Sequence, residues 1–322
     1  MSLNEDANLD PGQVEDLRDR RGRGGRLGFP LPTGRGGGTG LPLPGGKGGL
    51  IGLAVLVLLG LLFGGSATGV LPGVDDLGGL GDQPSESGGS LAEACAVENQ
   101  DRFDDPACRN LLYVNSIQAY WQTALPEYFG APYQPTTTRY FSESVDTACG
   151  FASSGAGPFY CPGDRHVYLD LTFYDELARR FGANGEFAQA YVLAHEYGHH
   201  VQTLLGIESQ VRRAQQRDPG NANQYSVLME LQADCLAGSW ANGAADTRDQ
   251  RGQPLFEAVT EQAIAEALQA AAAVGDDAIQ QRTTGEVNPE AFTHGSSAQR
   301  QQWFQTGYST GDPRRCDTFA AG

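Results

Sequence analysis

The chain has 322 residues, and its 39 acidic and 22 basic side chains give a formal net charge of −17 at pH 7. A surface this acidic argues against nucleic acid and anionic lipid headgroups as partners. The length is sufficient for one or two domains with a substantial core, so folding does not require the stabilising devices of small scaffolds.

The N-terminal part has the composition of a chain that does not form a core. It includes RRGRGGRLGFPLPTGRGGGTG, and such Gly, Pro and Arg stretches bury too little apolar surface to offset the entropy of ordering. We therefore predict a disordered tail over residues 1–47. Residues 66–90, rich in Gly, Ser, Pro and Asp, predict a flexible linker. This leaves residues 91–322 as the folded domain.

An apolar run lies between the tail and the linker. Residues 48–65 contain no charged side chain and reach the lower end of the length that a membrane-crossing helix needs. Basic residues dominate before the run and acidic residues follow it, so the tail is expected in the cytoplasm and the domain outside. A cleaved signal peptide would begin nearer the N-terminus, and a buried core helix would have a polar face. The run therefore predicts a single, uncleaved transmembrane helix.

All six cysteines follow the apolar run, as expected of disulfides in an oxidising compartment. Short spacing favours the pairs Cys95–Cys108 and Cys149–Cys161, which leaves Cys235 to pair with Cys316. The alternative for Cys235, which lies in a helical pattern, is a buried free thiol.

Within the domain, the hydrophobic periodicity indicates an α+β fold that is rich in helices and has a small sheet. Periodicity, helix-forming residues and capping signals predict helices over residues 110–130, 186–205, 224–241, 254–275 and 297–307. Pro126 is expected to bend or end the first of them, and Ser296 or Ser297 to cap the last. β-branched and aromatic residues favour strand structure in residues 136–150. Alternating apolar residues predict a half-buried strand over residues 166–174.

The segment HEYGHH at positions 195–200 contains three of the five histidines. His195 and His199 are four residues apart in a predicted helix, so their imidazoles share one face and can bind one metal ion. Glu196 lies beside them, close enough to act on water at that ion. This is the H-E-x-x-H pattern of zinc metalloproteases, in which the Glu is the general base. The pattern therefore predicts a bound Zn²⁺.

Two histidines do not complete a catalytic zinc site, so a third ligand is expected elsewhere. The segment ELQAD offers Glu230 and Asp234, one turn apart on a predicted helix. If Glu230 binds the zinc, Asp234 can accept a hydrogen bond from the second ring nitrogen of a ligand histidine. A His, His, Glu set leaves the fourth position open, whereas structural zinc sites are closed by four ligands. The pattern thus favours hydrolysis, with Glu196 moving a proton from water to the leaving amine.

The remaining histidines are open to more than one interpretation. His294 precedes a capped helix in a loop, where it can stabilise the oxyanion of the tetrahedral intermediate or serve only the loop structure. His200 lies about 100° round the helix from His199, which predicts a structural or supporting role. His166, at the start of the predicted strand, is expected at the surface.

Several segments together resemble one known family. VEDLRDRRG and GGKGGLIGL near the N-terminus, with GPFYCPGDRHVYLD, HEYGHHVQ, ELQADCLAG and FTHGSSAQRQQWFQTGY in the domain, are similar to the neutral zinc metallopeptidase family of bacterial single-pass membrane proteins. The resemblance runs from about residue 14 to the C-terminus. It implies a zincin-like metalloprotease fold, a gluzincin type of ligand set that favours Glu230 over Asp234, and a bacterial envelope location. It also implies that the strand in HVYLDLTF lies along the cleft, where a peptide can add to its edge.

These observations lead to one principal hypothesis and two alternatives. The principal hypothesis is a membrane-anchored zinc metalloendopeptidase that faces outwards and cleaves peptide or protein substrates in the bacterial envelope. One alternative is a non-catalytic envelope scaffold or assembly factor that retains a metal site. The other is a zinc amidase that acts on cell-wall peptides. The expected partners are a peptide or protein substrate and the membrane, through one transmembrane helix, but not nucleic acid; no oligomeric state is predicted.

Overall fold

The computed structural model describes residues 1–18, 88–183 and 185–320. These residues form an α+β structure in which helices predominate. The helices are α1 (Gly88–Ala94), α2 (Pro106–Phe129), α3 (Phe173–Phe181), α4 (Glu186–Leu204), α5 (Ile207–Arg217), α6 (Ala222–Gly243), α7 (Glu261–Ala273), α8 (Asp276–Thr283) and α9 (Ser297–Thr310). The strands are β1 (Ser2–Leu3), β2 (Val14–Asp16), β3 (Thr138–Tyr140), β4 (Ser144–Thr147), β5 (Gly150–Ser153), β6 (Phe159–Cys161), β7 (His166–Leu169) and β8 (Phe256–Ala258).

The largest sheet has four strands in the order β2-β3-β7-β6. Strands β2 and β7 pair with β3 in parallel, whereas β6 pairs with β7 in antiparallel orientation. Two smaller antiparallel pairs join β1 to β8 and β4 to β5. Helix α4 contacts β6 and also packs against α2, α6 and α7. The β6 edge of the sheet is therefore the edge that borders the central helix.

The first 18 residues are part of this domain, so the prediction of a disordered tail is wrong for them. Strands β1 and β2 pair with β8 and β3, and Ala7, Leu9 and Val14 are buried. The Gly- and Arg-rich stretch that suggested disorder begins only after Arg18. The composition of the whole tail therefore concealed a short segment with apolar residues of its own.

The predicted transmembrane segment, residues 48–65, lies outside the described residues, as do residues 19–47 of the predicted tail. In the described ranges 1–18, 88–183 and 185–320, no helix is long and apolar enough to cross a membrane. At the end of the predicted linker, residues 88–90 already belong to α1.

The predicted helices are present, although their ends differ. Helix α2 begins earlier than predicted because the Asp105 carboxylate accepts a hydrogen bond from the N–H of Ala107 and caps it. It passes through Pro126 and ends at Gly130, which has a φ of +64°. The predicted helix 254–275 is divided into β8 and α7, because Thr260 caps a new helix there. Ser296 caps α9, as predicted, in a capping box with Gln299.

Strand β7 ends at Leu169, whereas the sequence pattern predicted a strand as far as residue 174. Asp170 Oδ1 accepts hydrogen bonds from the N–H and the hydroxyl of Thr172, at 2.9 and 2.8 Å, and the chain turns there into α3. Strand β7 is also paired on both sides, by β3 and β6. The expectation that a peptide adds to this strand is therefore wrong, and the corresponding free edge belongs to β6.

The three predicted disulfides are all present: Cys95–Cys108, Cys149–Cys161 and Cys235–Cys316. A free thiol at Cys235 is thereby excluded. The Cys149–Cys161 bond ties the hairpin formed by β4 and β5 to the end of β6. The Cys235–Cys316 bond ties the C-terminal segment to α6, directly after Asp234.

Helices α6 and α9 touch through their backbones. A Cβ atom at Gly238 would lie 2.0 Å from the carbonyl oxygen of Phe304, and one at Gly307 would lie 1.9 Å from the carbonyl oxygen of Cys235. Only glycine permits so close an approach. The contact is relevant to the candidate site because α6 carries Glu230 and Asp234 and α9 carries Arg300.

Candidate metal centre and active site

Helix α4 turns the two histidines of the H-E-x-x-H pattern towards α6. His195 and His199 are buried, and their ring centroids are 4.8 Å apart. The helices approach closely at Gly198, where a Cβ atom would lie 3.0 Å from the carbonyl oxygen of Ala233. This small residue between the two histidines therefore lets Glu230, one turn before Ala233, come within reach of both rings.

The tautomer of His195 is set by Asp234. Its Nδ1 atom lies 2.8 Å from Asp234 Oδ1, and Asp234 is fully buried. Burial would raise the pKa of Asp234, but Arg300 and His195 lower it to about 2. An ionised carboxylate only accepts hydrogen bonds, so Nδ1 carries the hydrogen. In the neutral ring, Nε2 then presents its lone pair to Glu230 Oε2, 3.1 Å away.

Gln202 sets the tautomer of His199. Its side-chain nitrogen donates to the carbonyl oxygen of Met229 at 2.7 Å and to Gln232 Oε1 at 3.0 Å. The Gln202 side-chain oxygen is thereby turned towards His199 and lies 2.9 Å from Nδ1. The Nδ1 atom of His199 therefore carries the hydrogen. Its Nε2 lone pair faces Glu230 Oε1 at 3.5 Å.

The two imidazoles and Glu230 thus converge on one point. An ion bonded tetrahedrally at about 2.1 Å holds its ligand atoms about 3.4 Å apart, close to the 3.1 and 3.5 Å between the Nε2 atoms and the Glu230 oxygens. The converging ligand atoms all lie within 4.8 Å of one another. Two imidazole nitrogens and a carboxylate oxygen fit zinc and leave one tetrahedral position open.

The electrostatics of the site favour a cation. Burial would raise the pKa of Glu230, but His199 and His294 hold it well below its usual range. Burial likewise opposes a charge on His195, yet Asp234 and Glu230 raise its pKa to about 10. The two buried carboxylates therefore draw positive charge to the ring nitrogens, and a metal ion supplies it while both imidazoles stay neutral.

Glu196 lies between the converging ligands and the sheet. Burial raises the pKa of Glu196, and His195 and His199 oppose this shift. The backbone of Tyr160 in β6 is near enough to lower the pKa of Glu196 slightly. The group of converging atoms consists of His195, His199 and Glu230. Glu196 is therefore placed beside the proposed metal position, on the helix that contacts the edge strand β6.

Asp234 is held in turn by a buried arginine. Arg300 on α9 donates from Nε to Oδ2 at 2.8 Å and from Nη2 to Oδ1 at 2.9 Å, and the hydroxyl of Tyr191 donates to Oδ1 at 2.5 Å. A paired fork of this kind fixes both the charge and the orientation of a carboxylate. The network therefore extends from His195 through Asp234 to α9.

His294 lies in the loop before α9, with its side chain partly exposed. Asp276 Oδ2 accepts hydrogen bonds from the backbone N–H groups of Thr293, His294 and Gly295, at 2.6, 2.6 and 3.0 Å. Asp276 Oδ1 lies 3.3 Å from His294 Nδ1. His294 is also near enough to Glu230 to lower its pKa. The structure thus brings His294 to the edge of the candidate site, on a loop fixed by one carboxylate.

The other two histidines lie outside the converging group. His200 donates from Nε2 to the carbonyl oxygen of Gln134 at 2.7 Å, and its Nδ1 accepts from the Tyr160 hydroxyl at 3.1 Å. Burial lowers the pKa of His200 to about 4, so the ring is neutral at pH 7 and joins α4 to β6. His166 is half-buried at the start of β7, rather than at the surface as predicted.

Three supporting residues were not identified from the sequence. Gln202 follows His199 by three residues, which is the only local signal that it can reach the same ring. The helical pattern places Tyr191 among the apolar core residues, so it gives no sign of a hydrogen-bonding role. Arg300 is 66 residues from Asp234 along the chain, so no spacing rule connects them.

Comparison with known proteins agrees with this site. The family profile described as "Putative neutral zinc metallopeptidase" matches residues 10–319. The uncharacterized protein Rv2575 of Mycobacterium tuberculosis is 48% identical over 260 residues, which cover 78% of this chain and 85% of the relative. The uncharacterized protein YpfJ of Escherichia coli K12 is 47% identical over 199 residues, which cover 60% of this chain and 64% of the relative. No solved structure matches.

The profile covers nearly the whole length of the chain, including all the residues that converge at the candidate metal centre. Members of this family are described as zinc metallopeptidases, and the donor set found here is one that binds zinc. The protein belongs to the neutral zinc metallopeptidase family.

Proposed function

We propose that the protein is a zinc metalloendopeptidase in which His195, His199 and Glu230 bind the metal. The observation that carries the proposal is the convergence of two Nε2 atoms and one carboxylate on a single point. Membership of the family supports a peptidase. The open fourth position supports hydrolysis over a purely structural zinc.

Zinc at this position would acidify a bound water and polarise the carbonyl group of the substrate. Glu196 accepts a proton from the attacking water and delivers it to the leaving amine nitrogen as the C–N bond breaks. Because burial raises the pKa of Glu196, this carboxyl group is better suited to both taking and giving the proton near neutral pH.

An extended peptide is the form of substrate that β6 can bind. Strand β6 is an edge strand: within the described residues it pairs with β7 on one side and with no strand on the other. The Cys149–Cys161 disulfide and the hydrogen bond from Tyr160 to His200 hold this strand in place. A peptide added along the free edge gains main-chain hydrogen bonds and lies close to α4, the helix of Glu196, which β6 contacts.

His294 is proposed to stabilise the negative charge that develops on the carbonyl oxygen of the substrate. Its Nδ1 atom is near Asp276 and the Thr293 hydroxyl, at 3.3 and 3.0 Å. These contacts leave Nε2 as the nitrogen that can donate into the site. Asp276 is a positioning residue, because it fixes the loop backbone on which His294 stands.

Replacing His294 by Ala is expected to lower kcat by about 10²- to 10³-fold, the usual cost of removing one donor to the oxyanion. The zinc content should be unchanged, because His294 is outside the converging ligand group. Steady-state kinetics with metal analysis measures both quantities. The exposed α8 variant Gln281→Ala serves as a control and should match the parent. Parent kcat in His294→Ala would assign His294 to loop structure instead.

The proposed location is the bacterial envelope, with the catalytic domain outside the cytoplasm. Three disulfides support an oxidising compartment. Residues 48–65 are proposed to hold the protein at the membrane, because this run is apolar and uncharged.

The proposed function is tested on the purified full-length chain with three substrates: casein, an unfolded reporter protein and purified cell wall. We expect about one zinc per chain and cleavage of the proteins that stops with a chelator and returns with added zinc. Hydrolysis of the cell wall alone would favour the amidase. Bound zinc without hydrolysis of any of the three would favour the scaffold.

A further inference from the structure

The N-terminal segment, residues 1–18, docks along one side of the domain and touches four separate parts of it. The N–H of Asn4 donates to the carbonyl oxygen of Leu255 at 3.1 Å, and the N–H of Asn8 donates to Asp249 Oδ2 at 2.7 Å. Further along, the N–H of Asp10 donates to Asn115 Oδ1 on α2 at 2.7 Å. The segment then enters the sheet as β2.

A buried arginine binds the backbone of this segment. Arg102 is 1% exposed, and its Nη2 atom donates to the carbonyl oxygens of Glu5 and Ala7, both at 2.8 Å. Its Nη1 atom donates to the carbonyl oxygen of Cys95 at 3.1 Å. Without the N-terminal segment, the guanidinium group would lose most of its protein acceptors. Arg102 and the N-terminal segment therefore stabilise each other.

The end of the segment completes the main sheet. Residues 14–16 pair in parallel with residues 138–140, and the N–H of Leu17 donates to the carbonyl oxygen of Tyr140 at 2.7 Å. Glu15 and Arg139 face each other in this register and form an ion pair of 2.8 Å. Strand β2 thus extends the sheet on the side opposite β6.

We infer that residues 1–18 lie on the same side of the membrane as the catalytic domain and form a structural strand of it. Two groups that share backbone hydrogen bonds cannot be separated by a bilayer. Arg18 and Gly88, which belong to these two parts, therefore lie on the same side of the membrane. The inference is an alternative to the expectation of a cytoplasmic N-terminus combined with an external domain.

Two variants of the full-length chain, each with one added cysteine, test the inference. Asp6→Cys places a thiol on an exposed residue of the segment, and Gln281→Cys places one on an exposed residue of α8. The six natural cysteines are all in disulfides, and labelling of the parent chain measures any background from them. Spheroplasts that express each variant are treated with a membrane-impermeant maleimide before and after lysis. No catalytic activity is needed for the readout.

Both thiols should react before lysis, or both only after it. The first result would agree with an external domain; the second would move the whole domain to the cytoplasm and still support the inference. Labelling of Gln281→Cys in intact spheroplasts, with Asp6→Cys protected until lysis, would overturn it.

A crosslink supplies a second measurement. The double variant Glu15→Cys with Arg139→Cys places two thiols at paired positions of neighbouring strands. A protease site introduced into residues 19–87 then allows the N-terminal fragment to be cut from the domain. We expect this fragment to remain attached on a non-reducing gel and to be released by reductant. The control, Glu15→Cys with Gln281→Cys, should release it in both conditions. Release from the paired variant without reductant would contradict the docking.

Discussion

Replacing Glu196 by Gln is expected to abolish hydrolysis and to leave the zinc in place. The amide is nearly the same size as the carboxylate but cannot take a proton from water. A general base contributes about 10²- to 10⁴-fold to the rate, so kcat should fall at least by this factor. His195, His199 and Glu230 are untouched, which is why the metal should stay.

The measurement combines metal analysis with single-turnover cleavage of a protein substrate. Glu186→Gln makes the same chemical change at an exposed position in the first turn of the same helix, and this variant should behave like the parent. If Glu196→Gln retained the parent rate, another group would have to be the base. If it lost zinc instead, Glu196 would belong to the ligand set.

Replacing Glu230 by Gln is expected to remove zinc from the protein. The change takes away the only anionic ligand of the proposed set, so an ion held by the two imidazoles alone is bound far more weakly. Competition with a chromogenic chelator measures the affinity. The exposed α6 variant Gln224→Ala is the control and should bind zinc like the parent.

Asp234→Asn is the matched variant one turn further along α6. It keeps the three ligands but loses the charged acceptor at His195 Nδ1, so zinc affinity should fall by only about 10- to 100-fold. The pair of variants therefore separates a ligand from a supporting residue. Parent affinity in Glu230→Gln, with loss of zinc in Asp234→Asn, would reverse the two assignments.

The His, Glu and His positions could be predicted because the chemistry and the local geometry coincide in one helix. Four-residue spacing fixes a common face, and α4 is present with nearly the predicted ends. The ELQAD segment was informative for the same reason. His294 was found through its place before a helix cap, which the capping box at Ser296 bears out as a structural feature.

Other features depend on contacts between distant parts of the chain. No pattern in the first 18 residues predicts a partner strand. Strand β2 forms only by pairing with β3, which lies more than a hundred residues later in the chain. The alternation after Leu169 was misleading because Asp170 makes a local turn that competes with strand pairing. Arg300 and Gln202 are polar residues in helical patterns, and only the folded structure shows what they face.

The glycine contact between α6 and α9 makes the geometry of the metal site depend on residues that do not contact the substrate. Arg300 reaches Asp234 only because the two backbones touch at Gly238 and Gly307. A related chain with a larger residue at either position would have to space the helices more widely and find another way to anchor its aspartate. In comparing relatives, a larger residue at either position therefore indicates that the aspartate is supported in a different way.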